Sequence, residues 1–241
     1  METELIPIGK AARFLGVTPM TLRRWEQSGK LIPHRTPTGH RRYTMAQVSE
    51  ALGGSIASRA LVWVSAPAGI EPEAVFSCMT GAIFQERLMR VERELAHFPD
   101  TSETASLILA AAGEIGNNSF DHNIGNWPDI PGIFFAFDRD HRSLVLADRG
   151  QGILKTLQQV RPALASDREA LTVAFTEILS GRSLEARGNG LKFVRKIAPL
   201  AGVDVLFRTG NARLRINRKH PDIRVEETET SFRGCLAILR F

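Results

Sequence analysis

The distribution of apolar and polar residues along the chain predicts both strands and helices. Short apolar runs bounded by turn residues are typical of buried strands. They predict strands at residues 61–65, in GIFFAF and SLVLAD, and in VDVLFR, ARLRIN and GCLAILRF near the end of the sequence. Apolar residues with helical spacing predict helices at about 72–97, 102–123, 153–160, 168–179 and 191–198. Because the two types do not alternate regularly, we expect a two-layer α/β sandwich with helices on one face of a mixed sheet.

The first fifty residues predict two short helices joined by a tight turn. Ala11, Ala12 and Leu15 give the first helix an apolar face. Thr18 is placed to cap the second helix, and Pro19 suits its first position, where a missing amide hydrogen costs little. This order is the outline of a helix-turn-helix.

The segment after these helices, IPHRTPTGHRRY, places prolines and a glycine between basic residues. That pattern is typical of a β-hairpin wing that lies over a phosphate backbone. A small helical domain with a solvated basic face is the alternative. Small residues at 53–55 then end the segment, and we therefore expect two domains, at residues 1–54 and 55–241.

The predicted helix at 102–123 changes from apolar to polar along one side. At about 100° per residue, that side carries Leu107, Ala111, Glu114, Asn118 and His122. A carboxylate on an inward-facing side is costly unless it is paired or used. Glu114 and Asn118, four residues apart, could serve one ligand or metal ion together. The alternative is a frayed helix whose polar side is wet.

Two glycine-containing segments follow this helix in the sequence. In LVLADRGQGI, an apolar strand ends at Asp148, and a carboxylate there can accept a hydrogen bond from an exocyclic amine. In EARGNGLKFV, Gly188 and Gly190 directly precede a helix, whose free amides suit phosphate oxygens, and Arg187 adds a positive charge. Considered separately, the first segment is also typical of an ordinary turn, and the second is also typical of a loop that caps a helix.

The composition of the chain indicates its cellular compartment and the charge of its binding partner. The 241 residues carry a formal net charge of +5, and residues 1–50 hold eight Lys and Arg against four Glu. An anionic partner for this segment is therefore expected. The two cysteines match no metal-ligand or redox spacing, and no signal peptide or membrane span is evident. We expect a reduced, cytoplasmic protein with no membrane partner.

Residues 6–52 closely resemble the winged helix-turn-helix of the MerR and excisionase families. The resemblance rests on LGV, TLRRWE, GKL and GHRRY, in that order. It implies that a helix at 19–28 enters the major groove of double-stranded DNA, with Leu22 and Trp25 in the core. The implied DNA contacts are Thr21, Arg23 and Arg24 on the helix and Arg35, His40, Arg41, Arg42 and Tyr43 on the wing.

About residues 60–241 resemble the GHKL family of ATP-binding modules, shared by gyrase, heat-shock chaperones, histidine kinases and MutL. The motifs are EIGNNSFDHN, DRGQGI, RGNGLKFV and the closing strand FRGCLAILRF. The resemblance implies a Bergerat-type two-layer α/β sandwich that binds ATP or ADP with Mg²⁺. Asn118 would hold the Mg²⁺, Glu114 would be the catalytic base, and Asp148 would recognise adenine. The other implied pocket residues are His122, Gly150, Gly152, Arg187, Gly188, Gly190 and Leu191.

Together the two resemblances predict an ATP-responsive DNA-binding transcriptional regulator. The sequence lacks the His-Glu-x-x-x-Pro motif of a phosphoacceptor helix, which argues against a self-phosphorylating histidine kinase. The compact module is similar in size to anti-sigma-factor kinases. A protein serine kinase or an ATP-gated switch acting on a protein partner is therefore the alternative, and a module that binds ATP without turnover is a third. Weak ATP hydrolysis and phosphoryl transfer to a protein both stay open.

A helical stripe within residues 84–98 bears on the oligomeric state. Its apolar residues, Phe84, Leu88, Val91, Leu95 and Phe98, follow a 4-3-4-3 spacing. That spacing suits either a coiled-coil seam or the core of the domain itself. MerR-like binders need two copies to bind paired half-sites, so we expect a homodimer.

Overall fold

The computed structural model of the chain describes residues 5–15, 17–51, 55–177 and 189–241. It divides into two compact units, Met1–Val62 and Trp63–Phe241. The division lies eight residues beyond the boundary expected at 54/55. Among the described residues, no helix combines the length and apolarity needed to cross a membrane.

The N-terminal unit is a small helical domain with a three-stranded antiparallel sheet in the order β1-β3-β2. Its elements are β1 (Leu5–Pro7), α1 (Ile8–Leu15), α2 (Pro19–Gln27), β2 (His34–Arg35), β3 (Arg41–Thr44) and α3 (Met45–Ala51). Thr18 caps α2 by accepting a hydrogen bond from the backbone N–H of Thr21 at 3.2 Å, and Pro19 is the first helical residue. The expected helix-turn-helix and hairpin are thus present.

The C-terminal unit is a two-layer α/β sandwich, as expected. Its helices are α4 (Ile56–Ser65), α5 (Gly81–Leu95), α6 (Ala105–Asn123), α7 (Ile153–Gln158), α8 (Asp167–Thr176) and α9 (Gly190–Leu200). Its strands are β4 (Ser77–Cys78), β5 (Ile133–Asp138), β6 (Ser143–Asp148), β7 (Asp204–Asn217) and β8 (His220–Arg240). Helices α5, α6, α8 and α9 share one apolar core with the strands β5, β6, β7 and β8.

The sheet has the order β4-β5-β6-β8-β7, and each of these pairings is antiparallel. The expectation of a mixed sheet was therefore wrong. Two predicted late strands are one strand, β7, whose pairing with β8 is shifted around Gly210. Gly210 has a φ of 53°, a backbone conformation that glycine adopts without steric cost. The strand β8 also begins well before the GCLAILRF segment.

Two elements of the structure differ in type or length from those predicted from the sequence. Residues 61–65 belong to helix α4, not to a strand. The prediction failed because an apolar run this short has no periodicity that distinguishes a helix from a strand. Ala60 and Val64, four apart, are buried on one side of α4. The helix expected from about residue 72 begins only at Gly81, because Thr80 caps it through the backbone N–H of Ile83.

The apolar stripe on α5 packs inside the C-terminal unit. Phe84, Leu88, Val91 and Leu95 are all buried in its core, and Phe98 packs against them. These side chains are consequently not available as a coiled-coil seam. The expected homodimer would need another surface.

Candidate functional site

The polar side of α6 leads from the core to the surface. Ala111 is buried, Glu114 and Asn118 are half-buried, and His122 is exposed. Glu114 and Asn118 lie against Gly190, the first residue of α9, where an added Cβ would overlap the Glu114 carboxylate. Within the described part of the chain, neither side chain has a hydrogen bond or an ion pair. Both are therefore free to bind a ligand at the start of α9.

Asp148 forms the floor of the site at the end of β6. Its side chain is buried, and its two oxygens accept hydrogen bonds from the backbone N–H of Gly150 and the hydroxyl of Ser119, both at 2.8 Å. Burial raises the pKa of this carboxyl to about 6, although these hydrogen bonds and those from Cys235 act in the opposite direction. The carboxylate therefore titrates close to neutral pH.

The turn that follows Asp148 is held against the end of α6. The Asn123 side chain accepts a hydrogen bond from the backbone N–H of Gln151 at 2.8 Å and donates one to the Ser119 carbonyl at 2.7 Å. Gly150 approaches the same amide so closely that an added Cβ would overlap it. Gly152 has a φ of 77° and directly precedes α7. Both glycines are required by this geometry.

The opposite wall of the site comes from the paired strands β7 and β8. The Thr209 hydroxyl donates to the Gly234 carbonyl at 2.9 Å and accepts from the backbone N–H of Ile153 at 3.2 Å. Burial, with the nearby Asp148 carboxylate, raises the pKa of the Cys235 thiol well above its ordinary value. The thiol is therefore protonated at neutral pH and serves as a weak hydrogen-bond donor.

These elements line a narrow cleft with a cavity volume of about 30 Å³. The lining residues are Ile115, Asn118, Ser119, His122, Asn123, Asp148, Gly152, Ile153, Thr156, Leu191, Phe207 and Cys235. The structure thus brings together several residues singled out in the sequence. Glu114 and Gly190 lie beside Asn118, and Gly150 lies beside Asn123. Arg187 and Gly188 lie outside the described residues.

His122 lines the cleft, and the pKa of its imidazole is lowered. Desolvation lowers its pKa, an effect that Asp121 only partly opposes. At neutral pH the imidazole is therefore predominantly uncharged, and it can donate or accept a hydrogen bond. It does not provide a fixed positive charge.

Sequence reasoning missed several polar residues that line or support the site, among them Ser119, Asn123, Thr209 and Cys235. Ser119 and Asn123 follow predicted site residues directly in the sequence, and this adjacency was the available signal. Thr209 and Cys235 carried no such signal. They enter the site because Thr209 pairs with Cys235, which in turn pairs with Asp148, across three strands.

The α6 side chains that lie against the start of α9 fit a magnesium–phosphate site. The described residues contain no group of three His, Cys, Asp or Glu that could hold a metal alone. Mg²⁺ at phosphate sites instead keeps several waters and takes one or two protein ligands besides the phosphates. The Asn118 amide, which has no hydrogen bond to any described residue, matches this requirement, and the Glu114 carboxylate lies next to it.

We expect Gly150→Ala to destabilise the protein because the new methyl group would overlap the Asn123 amide. Overpacking of this kind costs about 1–3 kcal/mol. Urea unfolding of the wild type, Gly150→Ala, Asn123→Ala and the double variant Gly150→Ala/Asn123→Ala measures it. The double variant should recover part of the loss, and simple addition of the two single effects would contradict the steric explanation.

The raised pKa of Asp148 predicts a specific pH dependence of stability. Between the unfolded value of 3.8 and the folded value of about 6, the folded protein binds more protons than the unfolded chain. The contribution of this group to the free energy of unfolding is therefore lost as the pH rises through this window, by on the order of 3 kcal/mol. Urea unfolding of the wild type and Asp148→Asn at several pH values tests this. Parallel pH profiles would rule it out.

The N-terminal unit presents a second group of predicted site residues. Arg23 and Arg24 are exposed on α2, and Thr21 is half-buried near its start. Glu26, also on α2, pairs with Arg35 at 2.6 Å and with Arg41 at 2.5 Å. Hydrogen bonds from Arg41 and then Arg35 lower the pKa of Glu26. The ion pairs join α2 to the β2–β3 hairpin.

The remaining hairpin residues differ in their access to solvent. His40 is exposed and Arg42 is half-buried. Tyr43 is fully buried in the core with Leu22, and its prediction as a DNA contact is wrong. It alternates with outward-facing residues on β3, so its aromatic ring points into the unit.

Among the solved structures that are similar to this chain, two match about half of it. The ATPase region of Saccharomyces cerevisiae topoisomerase II has 12% identity and a TM-score of 0.37, over 56% of this chain and 37% of its own. The topoisomerase IV ATP-binding domain of Francisella tularensis, in complex with a small-molecule inhibitor, has 15% identity and a TM-score of 0.33, over 54% of this chain and 35% of its own. The match spans little more than a third of each structure.

No curated protein sequence matches the chain. Residues 7–43 match the model of the MerR family regulatory proteins. The matched segment covers α1, α2 and most of the β2–β3 hairpin. The N-terminal unit therefore carries a MerR-type helix-turn-helix.

Proposed function

We propose that this protein is an ATP-responsive, DNA-binding transcriptional regulator. Its C-terminal unit binds Mg·ATP and its N-terminal unit binds double-stranded DNA. The observation that carries the proposal is the cleft lined by the buried Asp148 carboxylate and by Asn118, which together with Glu114 lies against Gly190 at the start of α9. The resemblance of these segments to the GHKL motifs supports the choice of nucleotide.

The cleft offers a distinct group to each part of ATP. Asp148 would accept a hydrogen bond from the adenine amino group, beside the apolar surface of Ile153 and Phe207. The backbone N–H groups of Gly190 and Leu191, at the start of the 11-residue helix α9, suit phosphate oxygens. Bound Mg²⁺ would neutralise phosphate charge, with Asn118 as the residue that holds it and Glu114 beside it as the base.

The N-terminal unit supplies a basic surface for DNA. The exposed Arg23 and Arg24 on α2 are the proposed contacts to the major groove. Arg42 and His40 on the hairpin, with Arg35 and Arg41 fixed by Glu26, are the proposed contacts to the phosphate backbone. A homodimer would place two such surfaces on paired half-sites.

The test is the effect of nucleotide on DNA affinity. A DNA duplex selected from a random-sequence pool is titrated with the full chain, by fluorescence anisotropy, with Mg·ATP, with Mg·ADP and without nucleotide. We expect Mg·ATP to change the Kd for DNA by about 5-fold or more, with an equal reciprocal change in ATP affinity. Asp148→Asn should show no such change. Equal DNA affinities for the wild type under all three conditions would refute ATP responsiveness.

Glu114 is the proposed base for turnover of bound ATP. We expect Glu114→Gln to retain Mg·ATP affinity within about 5-fold while lowering phosphate release at least about 100-fold, because proton acceptance is lost and the shape is kept. A phosphate-release assay under saturating ATP measures the effect, with the exposed Glu103→Gln as control. Unchanged release by Glu114→Gln would exclude this role.

A further inference from the structure

Arg149 is a buried arginine between two residues of the proposed adenine site, Asp148 and Gly150. Only 3% of the residue is exposed. Its guanidinium donates to both carboxylate oxygens of Asp129, the shortest of these bonds being 2.7 Å. The paired carboxylate offsets the cost of burying the charge.

The rest of the Arg149 guanidinium binds the end of α4. One nitrogen donates to the backbone carbonyls of Trp63 at 2.8 Å, Val64 at 3.2 Å and Ala66 at 2.8 Å. Carbonyls in the last turn of a helix have no partner within the helix and carry a partial negative charge. Arg149 therefore caps α4 through its side chain.

Helix α4 is the segment by which the chain passes from one unit to the other. It spans Ile56–Ser65, and the division between the units lies within it, after Val62. Its C-terminal end is thus held by a residue whose backbone neighbours line or support the cleft. A shift of the Asp148–Gly150 turn would move the group that holds α4.

The backbone at Arg149 has little room to move independently of the sheet. Gly234 on β8 has a φ of 86°, and a Cβ there would overlap the Asp148 carbonyl and lie 3.0 Å from the Arg149 Cα. Arg233, the preceding residue, also binds Asp129, at 2.5 Å. The turn, the end of α4 and β8 therefore meet at one set of ionic and steric contacts.

We propose that Arg149 is the residue that couples nucleotide occupancy of the cleft to α4, and through α4 to the affinity for DNA. The inference rests on the proposed function, because it requires that nucleotide and DNA bind to this chain. A nucleotide that binds better to one arrangement of the turn shifts the population toward that arrangement. The guanidinium passes the change to α4 because it contacts two carbonyls in the last turn of the helix and the carbonyl of Ala66 just beyond it.

The test compares Arg149→Lys with a matched control, Arg233→Lys. Lysine keeps a positive charge near Asp129, but its three N–H donors on one nitrogen cannot replace the five donors that the guanidinium directs at Asp129 and at the end of α4. Arg233 shares Asp129, yet its side chain is 45% exposed. Anisotropy gives the Kd for DNA with and without Mg·ATP, and calorimetry gives the Kd for Mg·ATP alone.

We expect Arg149→Lys to bind DNA and Mg·ATP separately within about 3-fold of the wild type, with the ratio of DNA affinities with and without ATP reduced to near one. Arg233→Lys should keep the wild-type ratio. A wild-type ratio in Arg149→Lys would overturn the inference and leave the proposed function standing. A ratio of one in the wild type would refute the proposed function itself.

Hydrogen exchange on the wild type covers the case in which Arg149→Lys does not fold. Amide protection in α4 should change at least about 3-fold on addition of Mg·ATP, because the capped end of the helix responds to the turn. Protection of α5, which does not contact Arg149 through any described hydrogen bond, serves as the reference. Unchanged protection of α4 at saturating Mg·ATP would overturn the inference.

Discussion

Asp148→Asn is expected to weaken Mg·ATP binding by at least about 100-fold. The native carboxylate accepts hydrogen bonds from Ser119 and Gly150, and an asparagine would turn a donating NH₂ group toward one of these donors. The adenine amino group would also lose its charged acceptor. Loss of one buried charged hydrogen bond and creation of one donor–donor contact together account for this factor. Calorimetric titration of Mg·ATP and Mg·ADP measures it.

Asp140→Asn is the matched control for this substitution. Asp140 is exposed in the turn between β5 and β6, so the same chemical change there removes a carboxylate outside the cleft. We expect its Mg·ATP affinity to equal that of the wild type. Wild-type affinity in Asp148→Asn, with a folded protein by circular dichroism, would exclude this carboxylate as the adenine group and with it the proposed nucleotide site.

The double substitution Arg23→Ala/Arg24→Ala is expected to weaken DNA binding by at least about 30-fold at moderate salt. Both side chains project from α2 into solvent, and a base or phosphate contact by each is worth about 1–3 kcal/mol. Loss of two phosphate contacts would also lower the salt slope of the affinity by about 2. Anisotropy titrations at several salt concentrations give both quantities.

The control for net charge is Arg90→Ala/Arg93→Ala, which removes two exposed arginines from α5 in the C-terminal unit. This variant should keep wild-type DNA affinity, as should Asp148→Asn without nucleotide. An equal loss in the α2 and α5 variants would show that general charge, not the helix-turn-helix, governs DNA binding.

Local patterns in the sequence were sufficient to predict a structural feature where the residues that determine it lie within one helix or strand. The end of α6 was predicted at Asn123 and is found there, and its polar side was recognised from Glu114 and Asn118 alone. Thr18 and Pro19 likewise predicted the start of α2. In each case helical spacing or a cap links residues at most four apart.

The same local patterns failed where a neighbour in space decides the outcome. The short apolar run at 61–65 is helical, and the end of that helix is held by Arg149, far away in the sequence. Tyr43 belongs to a basic segment, yet it is buried because strand alternation turns it toward Leu22 and Val48.

The sequence by itself determined the helix-turn-helix, the polar stripe of α6 and the glycine positions, because these depend on spacing within short segments. Only the tertiary structure decided that Ser119, Asp148 and Cys235 line one cleft, that Thr209 supports it, and that Arg149 joins the turn after Asp148 to α4. The proximity of the cleft residues depends on the antiparallel register of β6, β8 and β7. Strand register is set by the packing of the whole sheet against its helices, and no short segment contains it.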